Sequence, residues 1–282
     1  MDKFSTNMPW VMFYLLDGQF AVSSDHVREM VAMPKVVTVP QTPDYIRGVI
    51  KLRDQVIPVM DLRLKMGFKS LIVETGDIVQ LLAQREQDHK DWIGELESSV
   101  QERREFKLST DHHQCAFGKW HDSFKTDNRL LSSCLAKFYE PHEKIHSIAI
   151  KVKAMEEKED YDAAYEIINR TKKGELAEMI RLFSEMRALL SESSREIALV
   201  LEWEEKTMVI SVDSVATVER LEMSNIENMP EVTFTTDNEC IDGIGKRGKD
   251  NELVQLLNVG KLIGKEKELV NEISRKESAL SG

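Results

Sequence analysis

Apolar and polar residues alternate over the first part of this chain, take helical spacing through its middle, and alternate again toward its end. Over residues 10–76, short β-branched and aromatic runs (VMFYLL, VVTV, QVIPVMDL) are separated by turn signals such as Asp17-Gly18, the pattern of half-buried strands. From residue 77 the period changes: Ile78, Leu82, His89, Trp92, Leu96 and Val100 lie near one face of a helix. The spacing predicts four helical segments, roughly 77–106, 111–124, 129–157 and 160–194. Ser109, Thr110 or Asp111 would cap the second, and Pro141 would open a fresh turn in the third or kink it. Four such stripes are buried together in a four-helix arrangement. After residue 195 the runs IALVLEW, KTMVISVDSVATVERL and ELVQLLNV restore the β pattern.

A β, all-α, β order fits two separate β-domains or one β-domain carrying an insertion. The pattern alone does not choose, although insertion at an exposed loop tip is physically inexpensive because the ends of the host stay close together. Either way the chain is expected to divide into a first β part (1–76), a helical part (77–194) and a second β part (195–282) ending in the charged stretch KEKELVNEISRKESALSG.

Composition narrows the function classes. A net charge of -11 argues against nucleic acid or anionic lipid as the main partner, because both select basic surfaces. The apolar run Trp10 to Leu16 is far shorter than the roughly 20 residues that span a bilayer, and it lacks signal-peptide flanks. A cytoplasmic protein with no membrane insertion is expected. Three cysteines, Cys115, Cys134 and Cys240, are too few and too uneven for a disulfide framework, so reduced thiols or a metal ligand are expected.

Six of the seven histidines fall between His89 and His146. His142 and His146 are four apart on a helical segment, so both imidazoles share a face, as a common metal requires. With Cys115 in HHQCAFGKW and His89 on the first helical stripe, they make one soft and three borderline donors, a set suited to tetrahedral zinc. A lone histidine on an apolar stripe is more often a packed core residue. Four convergent ones are another matter, since burial without metal needs a hydrogen-bond partner for every ring nitrogen. By chemistry alone His112, His113 and His121 are rival ligands.

The segments DHKDW (Asp88 to Trp92), HQCAFGKW (His113 to Trp120) and PHEKIH (Pro141 to His146), in that order, resemble the chemoreceptor zinc-binding domain, or CZB. The resemblance covers about residues 77–160. It implies a four-helix bundle with zinc held by His89, Cys115, His142 and His146. Ala116-Phe117 stands where that family usually has Arg-Leu, and His121 where it usually has an aromatic residue; neither removes a ligand.

Outside that region, PDYIRGVIKLRDQVIPVMDLR (Pro43 to Arg63) resembles the CheW family's Gly-Val-Ile, Asn-Leu-Arg-Gly and Pro-Val-x-Asp-Leu-Arg segment. FYLLDGQFAVSSDHVREMV, MVISVDSVATVERL and CIDGIGKRGKDNELVQLLNVGKLI are similar to the rest of that family's domain. The implied fold is α+β and multidomain: a CheW-like double β-barrel split by an inserted zinc-binding four-helix bundle. The implied function is that of a non-catalytic adaptor joining the chemoreceptor cytoplasmic tip to the P5 domain of the histidine kinase CheA. Val27, Arg53 and Val56 become candidate partner contacts. Lys51 and Asp54 replace the family's Asn and turn Gly, but Asp tolerates left-handed turns.

The expected mechanism is that the insert senses zinc or oxidants through a zinc-thiolate at Cys115, since a metal keeps the thiol as the oxidisable thiolate. Two alternatives keep the metal but change its role: a purely structural zinc, or a scaffold pairing two copies through the acidic, Met-containing helix from Asp160 to Leu190. A third reading is a hydrolase, because HEKIH matches H-E-x-x-H with Glu143 as base; that chemistry needs an open coordination position, which four protein ligands would close.

Overall fold

The computed structural model describes residues 9–126, 128–228, 240–248 and 250–264. Its elements in chain order are β1 (Pro9–Leu15), β2 (Gly18–Ser23), β3 (Val27–Ala32), β4 (Ile46–Leu52), β5 (Gln55–Asp61), α1 (Leu62–Lys65), α2 (Leu71–Gln101), α3 (Ala116–Ser123), α4 (Arg129–Ala136), α5 (Tyr139–Glu156), α6 (Tyr161–Thr171), α7 (Ala177–Ser193), β6 (Ile197–Trp203), β7 (Lys206–Val212), β8 (Ser214–Arg220), β9 (Ile226–Asn228), β10 (Ile241–Arg247), β11 (Glu252–Leu257) and α8 (Val259–Gly264). The charged C-terminal stretch expected from the sequence lies outside the described residues. Among those residues no helix is long and apolar enough to cross a membrane.

Contacts divide the chain into two compact units, the described parts of Met1–Val73 with Ser194–Gly282, and Glu74–Ser193. The first unit holds two sheets, ordered β8-β1-β2-β11-β10-β9 and β3-β6-β7-β5-β4. Strands from both halves of the sequence interleave: β11 lies parallel to β2, and β7 parallel to β5. Neither half can complete a sheet without the other, which makes this unit one interrupted domain. The mixed helix-and-sheet class is as expected, with one correction: the implied barrels are open sheets. An isolated bridge pairs Val37 with Val49 beside the second of them. There Gly48, at φ +133, is required, because a Cβ would lie 2.0 Å from the Val37 carbonyl oxygen. Edge strands β3 and β8 alternate between half-buried and exposed residues, whereas central β6 and β7 are buried almost throughout, as pattern and position dictate.

The second unit is helical. α2 buries Leu82, His89, Trp92, Leu96 and Val100, the stripe read from the sequence, but it begins at Leu71 rather than 77. The expected second helix is shorter than read. A turn holds residues 111–114, and α3 is capped by Cys115, whose sulfur accepts from the Gly118 amide, rather than by Ser109, Thr110 or Asp111. The expected third helix is two, α4 and α5, with Pro141 in the first turn of α5, where its missing N–H costs nothing. The fourth spans α6 and α7 joined by a π-helical turn over Lys172–Leu176. Its apolar stripe (Met179, Leu182, Phe183, Met186, Leu190) is buried in the unit's own core and is not a free docking face.

Candidate metal centre

Two helices and the turn that leads into a third bring the predicted ligands together. His89 comes from α2, His142 and His146 from successive turns of α5, and Cys115 from the residue before α3. One donor atom from each lies within 4.8 Å of every other. The three imidazoles are buried at 3%, 3% and 1% exposure, so water does not satisfy them. Cys115 Sγ is 3.2 Å from His142 Nε2 and 4.0 Å from His89 Nε2.

Backbone carbonyls fix how the rings present themselves. His89 Nδ1 is 2.7 Å from the Arg85 carbonyl oxygen and His146 Nδ1 is 3.2 Å from that of Ser109. A carbonyl only accepts, so each Nδ1 carries the proton and each Nε2 keeps a lone pair for the cluster. The Ser109 carbonyl also accepts from Trp92 Nε1 at 2.9 Å, and this tethers the loop before α3 to α2. Phe117 packs edge-on against His89 and His142 and forms one wall of the cluster.

Burial sets the electrostatics. It holds His89 below the usual imidazole range, His146 down to about 4 and His142 to about 2, the neighbouring imidazoles adding to the effect at the last two. Burial likewise pushes the Cys115 thiol up, against the amides of Gly118 and Phe117. The imidazoles therefore reject protons and offer lone pairs, while the thiol keeps its proton until a cation displaces it. The telling atom is His146 Nε2, buried with no hydrogen-bond partner. An orphaned acceptor facing a thiol and two imidazoles is what a soft or borderline cation would satisfy, so the residues fit zinc. A cleft of about 590 Å³, lined by Asp88, Asp91 and Glu95 as well as by Cys115 and His146, reaches the cluster.

Two of the three rival histidines have partners elsewhere, while the His112 ring packs against His142. His113 Nδ1 pairs with Asp122 Oδ2 at 2.8 Å, and His121 Nε2 lies 2.9 Å from the Leu135 carbonyl oxygen. Glu143 is exposed, whereas His142 and His146 are buried. Sequence reasoning missed the carbonyls of Arg85 and Ser109, because backbone acceptors leave no mark in residue type.

The candidate partner contacts lie in the second sheet. Arg53 and Asp54 form the two-residue β4–β5 turn at φ +46 and +65, so the left-handed turn survives the loss of glycine. Arg53 is exposed and pairs with Glu29 at 3.0 Å, Val56 is 42% exposed, and half-buried Val27 packs against the core.

The CheW-like domain model matches residues 9–94 and 173–267, and the chemoreceptor zinc-binding domain model matches 89–153. The chemotaxis protein CheW of Helicobacter pylori is 35% identical over 63 residues, 22% of this chain and 38% of that protein. The probable chemotaxis protein CheW of Rhizobium etli is 36% identical over 59 residues, 21% and 38% of the two chains. The chemotaxis protein CheW of Klebsiella aerogenes is 27% identical over 73 residues, 26% and 44%. The chain thus spans about two fifths of the length of the curated relatives it matches. Among solved structures, the scaffolding protein TtCheW from Thermoanaerobacter tengcongensis aligns at TM-score 0.42 and 15% identity over 89% of each chain.

Proposed function

The chain belongs to the CheW-like domain family and carries a chemoreceptor zinc-binding domain within it, and on that premise we propose that it is a cytoplasmic adaptor coupling chemoreceptor tips to the P5 domain of CheA under the control of a zinc-thiolate. In this reading residues 74–193 are the regulatory insert, and the parts before and after it are the coupling body. His89, Cys115, His142 and His146 hold the zinc, and the observation that carries this is the buried, partnerless Nε2 of His146 among three other donors.

When bound, the metal would hold Cys115 as thiolate. The chain's own residues do the rest. The Arg85 and Ser109 carbonyls orient two rings, Phe117 excludes water, and the acidic cleft admits cations or a small oxidant. A two-electron oxidant such as a peroxide would transfer one oxygen to the sulfur and leave as hydroxide, producing a sulfenic acid that donates more weakly. Because this residue caps α3 through its sulfur, oxidation also loosens the helix N-terminus. The insert joins the body by two chain connections, so rearrangement inside it would load both. The returning connection is anchored in the body by the Arg47–Glu196 ion pair and by the Met33 amide on the Glu196 carbonyl.

Val27, Arg53 and Val56 are the proposed contact residues of the body. Exposed Leu130 and Ile150 are apolar positions open to a second copy, and a homodimer would show in the sedimenting mass. A purely structural zinc is the second reading, favoured by the closed set of four ligands. The hydrolase reading fares worse, since its base, Glu143, faces solvent; a peptidase activity abolished by Glu143→Gln would restore it.

The deciding experiment reconstitutes receptor, CheA and this protein and follows kinase phosphorylation under zinc depletion and peroxide. The sensing reading expects a response in wild type that Cys115→Ser abolishes. Coupling unchanged by either treatment leaves zinc structural, and no coupling at all overturns the adaptor role.

A further inference from the structure

Two histidine nitrogens among the described residues are buried with no hydrogen-bond partner: Nε2 of His146, already assigned to the metal, and Nε2 of His112, which no proposed role yet uses. Leaving such an atom unpaired is costly, and His113, next in sequence, and His121 have both found partners. The His112 ring packs edge-on against ligand His142, 5.5 Å between centroids, and against Tyr139 at 5.7 Å. It also shares a turn with Cys115. The Cys115 thiol donates to the His112 carbonyl at 3.3 Å, and the close approach of that carbonyl to α3 depends on Gly118, where a Cβ would lie 1.9 Å from it.

Resting on the zinc reading above, we propose that His112 is a reserve metal ligand. When the Cys115 sulfur is withdrawn, the His112 imidazole takes its coordination position. Only two residues, His113 and Gln114, lie between the two donors in the chain, so the exchange needs a shift of one turn rather than of a helix. An imidazole is a borderline donor acceptable to zinc and, unlike a thiolate, is not the ligand oxidants attack first. The consequence is specific: losing the sulfur changes the donor set and moves the 111–115 turn while the metal stays. The signal is then a rearrangement of the turn, not the release of zinc.

The test is a double-variant cycle on the full chain, with cobalt(II) as spectroscopic probe and zinc affinity measured by chelator competition. Wild type should show a thiolate-to-cobalt charge-transfer band and the visible bands of four-coordinate cobalt. Cys115→Ser should lose the first and keep the second. His112→Ala alone should change zinc affinity by no more than about twofold, whereas adding it to Cys115→Ser should abolish the four-coordinate bands and weaken binding by at least about tenfold. His112→Gln, closer in size, should repeat the pattern, and far-UV circular dichroism checks the fold of each variant. Equal effects of His112→Ala in the two backgrounds, or identical spectra for the single Cys115→Ser and double variants, overturn the proposal while leaving the zinc site intact. A wild type that binds neither cobalt nor zinc overturns the zinc reading itself.

Discussion

The two units treat buried polar groups in opposite ways. In the sheet unit Arg63, 5% exposed, donates to both oxygens of Asp213 at 2.7 and 2.5 Å. Fully buried Asp61 accepts from the Leu64 amide and the Ser70 hydroxyl, and Asp242 from Asn258 and Lys261. Each charge in those networks meets hydrogen-bond donors or an opposite charge within the chain. The helical unit instead gathers three imidazoles and a thiol with no charged partner among them, and leaves two ring nitrogens unmatched, one in the cluster and one beside it. Lys206 Nζ of the sheet unit is also buried without a hydrogen bond, but it stands alone rather than in a cluster of donors. One polar core closes on itself, and the other keeps four donors that could hold a cation.

Metal removal should break the symmetry between the units most. On the zinc reading proposed above, a strong chelator removes the partner of the clustered donors, and structural zinc contributes on the order of 10 kcal/mol to small domains that depend on it. The helical unit has a sizeable apolar core of its own, so a loss of several kcal/mol is expected, with its thermal midpoint falling by about 10 °C or more. Calorimetry should record that fall in one transition while the sheet transition stays put. If both transitions move together, or neither moves, the comparison fails.

The reverse experiment removes a charge from the sheet unit. Arg63→Ala strands Asp213, a partly buried carboxylate, and breaking a buried pair from one side costs about 3–5 kcal/mol. The sheet transition should drop by that amount while bound zinc per chain, counted by native mass spectrometry, is unchanged. A cost below about 1 kcal/mol would mean that water already screens the pair.

Much of this contrast was legible in the sequence, though unevenly. The helical spacing of His89 with Trp92 and Leu96, and of His142 with His146, placed imidazoles on stripes that must face a core, so the convergence of three ligands followed from periodicity. Cys115 followed from chemistry and resemblance. That the same residue caps α3 did not, because a thiol is a rare cap and Ser109, Thr110 and Asp111 all had better credentials. The start of α2 at Leu71 was hidden because LIVE reads equally well as strand or helix when judged over four residues. The Arg63–Asp213 pair joins residues 150 apart and was beyond any local pattern. The open form of the sheets depends on which strand edges pair, and residue types do not encode that directly.

The smallest predicted effect concerns the π-helical turn between α6 and α7. Lys172, its first residue, reaches Glu97 of α2 at 2.5 Å, with both side chains about one-third exposed. Partly solvated pairs of this kind contribute at most about 1 kcal/mol, since water competes for both charges. Lys172→Met should therefore lower the helical transition by about that much, equally with and without zinc, far less than Arg63→Ala lowers the sheet transition. A π turn is often a point where a helix can change register, so the equality carries the information. If Lys172→Met were harmless to the zinc-loaded protein but costly after chelation, the ion pair would be holding a turn that the metal otherwise holds. The π turn would then be the joint through which the metal centre acts on the rest of the bundle.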